Sequence, residues 1–133
     1  MKIYILLGRA GDIINVLPAI EYEAREKKYK PFLVIAEAYR ELLEGVAYVS
    51  PIVWKGDFRD INKALPLIRE QYPGYEIVDC TVYGINYSFK VECNSFTKEI
   101  WKRSGCPIAF GRIPVNFDLR DMERERELIE LIK

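Results

Sequence analysis

Apolar and polar positions along the chain switch between a strand period and a helix period. Ile3-Tyr4-Ile5-Leu6-Leu7 is a short apolar run closed by Gly8, the pattern of a strand buried on both faces of a parallel sheet. Ile13, Val16, Leu17, Ile20 and Ala24 then recur at helical spacing, and the polar residues 23–30 end that helix. Pro18 lies inside it and predicts a kink or a separate first turn, because proline lacks the N–H and crowds the preceding turn.

The same cycle repeats. Phe32-Leu33-Val34-Ile35 reads as a second strand. Tyr39, Leu42, Leu43 and Val46 mark a short helix with Gly45 near its end. Ile52-Val53-Trp54 reads as a third strand, placed at an edge by the abutting Pro51, which cannot donate to a ladder. Ile61, Ala64, Leu65, Ile68 and Tyr72 form another helical face, bent at Pro66 and stopped by Pro73-Gly74. Glu76-Ile77-Val78-Asp79-Cys80 is the fourth strand, and a polar, aromatic loop follows over residues 81–93. Phe96, Ile100 and Trp101 mark a helix capped by Asn94 or Ser95 and ended by Gly105. Pro107-Ile108-Ala109-Phe110 reads as a fifth strand, Val115-Asn116-Phe117 as a sixth, and Asp118 as the cap of a final charged helix.

Strands alternating with helices imply right-handed βαβ units, hence a single α/β domain over residues 1–133 with helices on both faces of a mostly parallel sheet of five to six strands. The order 3-2-1-4-5 puts the proline-flanked third strand at an edge.

Composition narrows the chemistry. Lys+Arg and Asp+Glu number 20 each, and this balance argues against a chain that grips nucleic acid or an anionic membrane. No apolar run is long enough for a membrane span, and Met1-Lys2 leads into a strand pattern with no signal-peptide cleavage site. Three cysteines, Cys80, Cys93 and Cys106, with no close pair, fit a reducing cytoplasmic setting and a role as small core residues. The absence of histidine removes Ser-His-Asp and Cys-His catalysis and histidine metal sites.

Ligands of such sheets bind beyond the carboxyl ends of the strands, where strand order reverses. Here that point lies between the first strand, ending in Gly8-Arg9-Ala10-Gly11-Asp12, and the fourth, ending in Asp79-Cys80-Thr81. Gly8 and Gly11 allow a sharp turn and close approach of another molecule. The spacing is neither a dinucleotide fingerprint nor a P-loop. Asp12 has two compatible readings: a helix N-cap, or a carboxylate that takes a proton from a bound hydroxyl as general base. Asp79 opposite Asp12 reads either as a magnesium ligand or as a solvated or capping aspartate. Tyr83 and Asn86 mix an aromatic ring with an amide, a combination suited to sugars and equally to an ordinary loop. Arg9 and Lys55 end strands one and three, where they face acceptor phosphates or solvent.

The stretch Gly11-Asp12-Ile13-Ile14-x-x-Leu17-Pro18-Ala19 resembles the opening of glycosyltransferase family 9, the heptosyltransferase-like enzymes. Residues 32–35, 39–43, 48–54, 76–79 and 96–105 are more weakly similar to the elements that follow in that family. The resemblance implies the Rossmann-like acceptor-binding half of a two-domain GT-B enzyme. It implies inversion at the anomeric centre without a catalytic metal, with Asp12 as the base that deprotonates the acceptor hydroxyl. Gly8, Arg9, Gly11, Asp79, Tyr83 and Asn86 are the expected substrate-binding residues around it.

The partners implied are a sugar acceptor, lipopolysaccharide-like or another glycan, and a nucleotide-sugar donor held by a separate or missing donor-binding domain. Residues 1–133 carry no donor-binding motif, so no transfer is expected from them alone. The alternative is a non-catalytic Rossmann-like module that binds a protein or small ligand. The apolar tip at residues 128–132 packs on the domain or leads into the missing one, and left unburied it favours self-association as a homo-oligomer.

Overall fold

Four parallel strands carry the fold in the computed structural model, which describes residues 1–57, 59–82, 95–119 and 122–132. They are β1 (Lys2–Ile5), β2 (Phe32–Ala36), β3 (Ser50–Trp54) and β4 (Glu76–Asp79), in the spatial order β3-β2-β1-β4. The helices are α1 (Ala10–Lys27), α2 (Ile61–Gln71), α3 (Ser95–Ser104) and α4 (Met122–Ile132), and the short helix expected after β2 is a 3-10 helix over Glu37–Gly45. The architecture is the expected α/β one, a parallel sheet with helices on both faces, and β3 with Pro51 holds an edge.

The two-residue period of β1 sorts the core into two layers. Tyr4 and Leu6 point to the face covered by α1, α3 and the 3-10 helix, meeting Ile13, Leu17, Ile20, Leu43 and Ile100. Ile3, Ile5 and Leu7 point to the other face, onto Ile61, Ala64 and Ile68 of α2. Phe32, Tyr72 and Tyr75 close that second layer with tilted and edge-on ring contacts. Because residues 3–7 are buried on both sides, that run is continuously apolar rather than alternating.

Several expectations are corrected. The sheet has four strands, not five to six, among the described residues. Residues 107–110 are not a strand: the Ile108 carbonyl accepts the Trp101 indole N–H at 2.7 Å, the Arg112 N–H turns back onto Ala109, and Phe110 lies edge-on to Trp101. Residues 115–117 instead lie across the end of the 3-10 helix. The Asn116 carbonyl accepts from the Tyr48 hydroxyl at 2.8 Å, and the Leu119 N–H donates to Gly45. Among the described residues Asp118 caps no helix; its Oδ1 accepts the Ala47 N–H at 2.7 Å, and α4 begins at Met122. Pro18 and Pro66 sit inside single continuous helices, so Pro18 does not split α1. Asn94, proposed as a cap of α3, lies outside the described residues. Gly105 ends α3 as expected, with φ +73°.

Candidate functional site

The carboxyl edge of the sheet is where β1 and β4 release their chains side by side. Register pairs Ile5 with Asp79, and the Cys80 N–H continues the ladder onto the Ile5 carbonyl at 2.8 Å. Thr81 then locks the two exits together. Its Oγ1 accepts the Leu7 N–H at 3.1 Å and donates to the Ile5 carbonyl at 3.5 Å, and the residue is buried. Asp79 Oδ1 accepts the Thr81 N–H at 2.9 Å. The Arg103 guanidinium of α3 donates to the Thr81 carbonyl, while its Nε holds Glu99 at 2.9 Å.

On the β1 side, Arg9 is the N-cap of α1 and Asp12 stands in its first turn. Asp12 Oδ2 accepts the Arg9 N–H at 3.1 Å, the returning half of a capping box. The expected N-cap role therefore shifts by three residues: Asp12 closes the helix end from inside the first turn. The carboxylate is half-buried, and among the described residues its Oδ1 takes no hydrogen bond.

Gly8 makes this geometry possible. A Cβ there would stand 2.7 Å from Asp12 Oδ2 and 3.2 Å from its Cβ, closer than packing allows. Gly11 is different: it is exposed inside α1, and a Cβ on it would meet nothing within 4 Å, so it makes no turn. Arg9 is exposed at the same mouth.

The structure thus gathers Gly8, Arg9 and Asp12 into one turn and ties that turn to Asp79 through Thr81 and Leu7. Lys55 lies exposed beyond β3, near Asp57, whose carboxyl is held down to about 2 by hydrogen bonds from the Arg59 side chain and backbone. Tyr83 and Asn86 lie outside the described residues, as does Cys93. Cys80 belongs to the core, where burial, helped by the Asp79 carboxylate, pushes its thiol up to about 12, so it is no nucleophile at neutral pH.

Sequence reasoning missed Thr81 and Arg103 as organisers of this edge. A threonine two residues past a strand end is a local signal for such stitching, but its partner lies 74 residues away.

Comparison with protein-family models, curated proteins and solved structures found no match to this chain. Among the described residues, no helix is long and apolar enough to cross a membrane.

Proposed function

We propose that this domain binds the sugar acceptor in an inverting glycosyl transfer, with Asp12 as the general base. The observation that carries the reading is the position of Asp12: a half-buried carboxylate at the carboxyl edge of β1, where strand order reverses. In the reaction Asp12 removes the proton of an acceptor hydroxyl, and the oxygen attacks the anomeric carbon of a nucleotide sugar. The bond to the nucleotide diphosphate breaks on the opposite face. Gly8 leaves the space in which the carboxylate sits, and Arg9 and Asp79 border the acceptor at the rim. The donor is held by a second, donor-binding domain. The resemblance of residues 11–19 to the heptosyltransferase-like family supports the same reading, and three cysteines with no close pair suit a reducing, cytoplasmic setting for it.

A second reading has its own observation. The Arg9 N–H already occupies Asp12 Oδ2, which favours a purely structural carboxylate in a non-catalytic binding module. Titrating the isotope-labelled chain with a panel of free hexoses and heptoses separates the two by amide shifts. The glycosyltransferase reading expects saturable shifts confined to residues 8–15 and 79–82, lost in Asp12→Asn while the remaining spectrum is unchanged. No sugar moving these amides, or equal shifts in Asp12→Asn, ends it.

A further inference from the structure

A second constellation lies at the opposite edge of the sheet, where β1 begins and α1 and α3 end. A groove of about 220 Å³ opens there between Lys2, Tyr4, Tyr22, Glu23, Ser104 and Cys106. Tyr4 is 1% exposed, lines the groove, and among the described residues its hydroxyl takes no hydrogen bond. The hydroxyl reaches the groove, where it stands ready to donate to an acceptor of a bound molecule. Burial first, then the nearby Glu23 carboxylate, holds this phenol well above its ordinary range. It is therefore a donor at neutral pH.

Glu23 is 7% exposed, and its Oε2 stands 3.3 Å from the Lys2 ammonium. Lys2 is itself fixed by its backbone N–H, which donates to the Tyr29 hydroxyl at 2.9 Å. Glu26 and Lys27 add one charge of each sign at the rim. Two cations and two anions face this space, so a ligand of net charge would leave part of it uncompensated in a partly desolvated site. A molecule carrying both signs would not. Its carboxylate meets the Lys2 ammonium and the Tyr4 O–H, and its ammonium meets Glu23.

We propose that this groove is a binding site for a small zwitterion of the free α-amino-acid type, separate from the Asp12 edge. The inference uses no sugar chemistry and stands or falls without the reading of Asp12.

The test is titration of the labelled full chain with L-alanine, alanine methyl ester as the cation alone, propionate as the anion alone, and glucose as a neutral polyol. Alanine is expected to saturate in the millimolar range, shifting the amides of Lys2, Tyr4, Glu23 and Gly105, while the other three do not saturate. Tyr4→Phe, which keeps the buried ring, is expected to weaken binding about tenfold by removing one hydrogen bond to a charged group. Glu23→Gln is expected to abolish it. Failure of alanine to saturate, equal binding of propionate or glucose, or unchanged affinity in Tyr4→Phe would each overturn the proposal.

Discussion

The Thr81 hydroxyl accepts the Leu7 N–H at 3.1 Å, joining the ends of β1 and β4 across 74 residues of chain. That bond sets where the Gly8 turn begins, because Leu7 is the last residue before it. Thr81→Val keeps the shape and leaves the Leu7 N–H buried without a partner, a cost of about 1–3 kcal/mol. Chemical denaturation should show this loss, and hydrogen exchange at Leu7 should quicken. Thr81→Ser, which keeps the oxygen, should recover most of it. A valine variant as stable as the parent would remove Thr81 from the account.

Gly8 and Asp12 are matched in space. Gly8→Ala places a methyl 2.7 Å from Asp12 Oδ2, and the short aspartate cannot swing clear without giving up the Arg9 N–H. Both Gly8→Ala and Asp12→Ala should therefore weaken the start of α1. The Asp12→Ala cost is about 0.5–1 kcal/mol, read as a lower melting temperature and faster exchange at the Arg9 amide. Gly11→Ala, which meets open space inside a helix, should stabilise the chain by up to about 1 kcal/mol. The opposite order of the two glycine variants would contradict this geometry.

Alkaline pH should unfold the protein through its buried acids. Tyr4 and Tyr48 are both raised from the ordinary 10.0, mainly by burial, and the Cys80 thiol is raised from 9.0 to about 12. Above pH 9 to 10 the unfolded chain loses these protons while the folded one keeps them. The folded state then binds more protons, so stability is whole below that window and falls as pH rises through it. Denaturation series across the alkaline range should show the decline, with a shallower slope in Tyr4→Phe. A flat profile would count against the buried phenols.

Trp101 holds the segment that follows α3. Its indole N–H donates to the Ile108 carbonyl at 2.7 Å, and Phe110 packs on its edge at 5.8 Å between ring centres. Trp101→Phe keeps the ring contact and removes the donor, so a loss of about 1 kcal/mol is expected. Limited trypsin digestion should then cut faster at Arg112. Unchanged cleavage would show that this bond does not hold the segment.

Surface position governs α4 differently. Leu131 is 82% exposed, and Leu128 and Ile129 are exposed as well. Leu131→Glu should change stability by no more than about 0.5 kcal/mol in thermal melts, in contrast to a buried leucine such as Leu17, whose truncation to alanine should cost about 2–5 kcal/mol.

The sequence by itself determined the alternation of strands and helices, the parallel sheet, the edge position of β3 and the turn at Gly8 beside the reversal point. Those features rest on local periodicity and on what glycine and proline do to a backbone, and neither needs a distant partner. Tertiary structure decided the rest. The apolar runs at 107–110 and 115–117 have strand-like composition, yet their carbonyls are taken by the Trp101 indole and the Tyr48 hydroxyl. Asp118 has the form of a helix cap and reaches Ala47 instead, 71 residues back. The roles of Thr81, Arg103, Tyr4 and Glu23 depend on groups brought near them only when strands far apart in the chain are paired. A hydrogen bond is chosen by distance and direction in space, and residue order does not encode these directly.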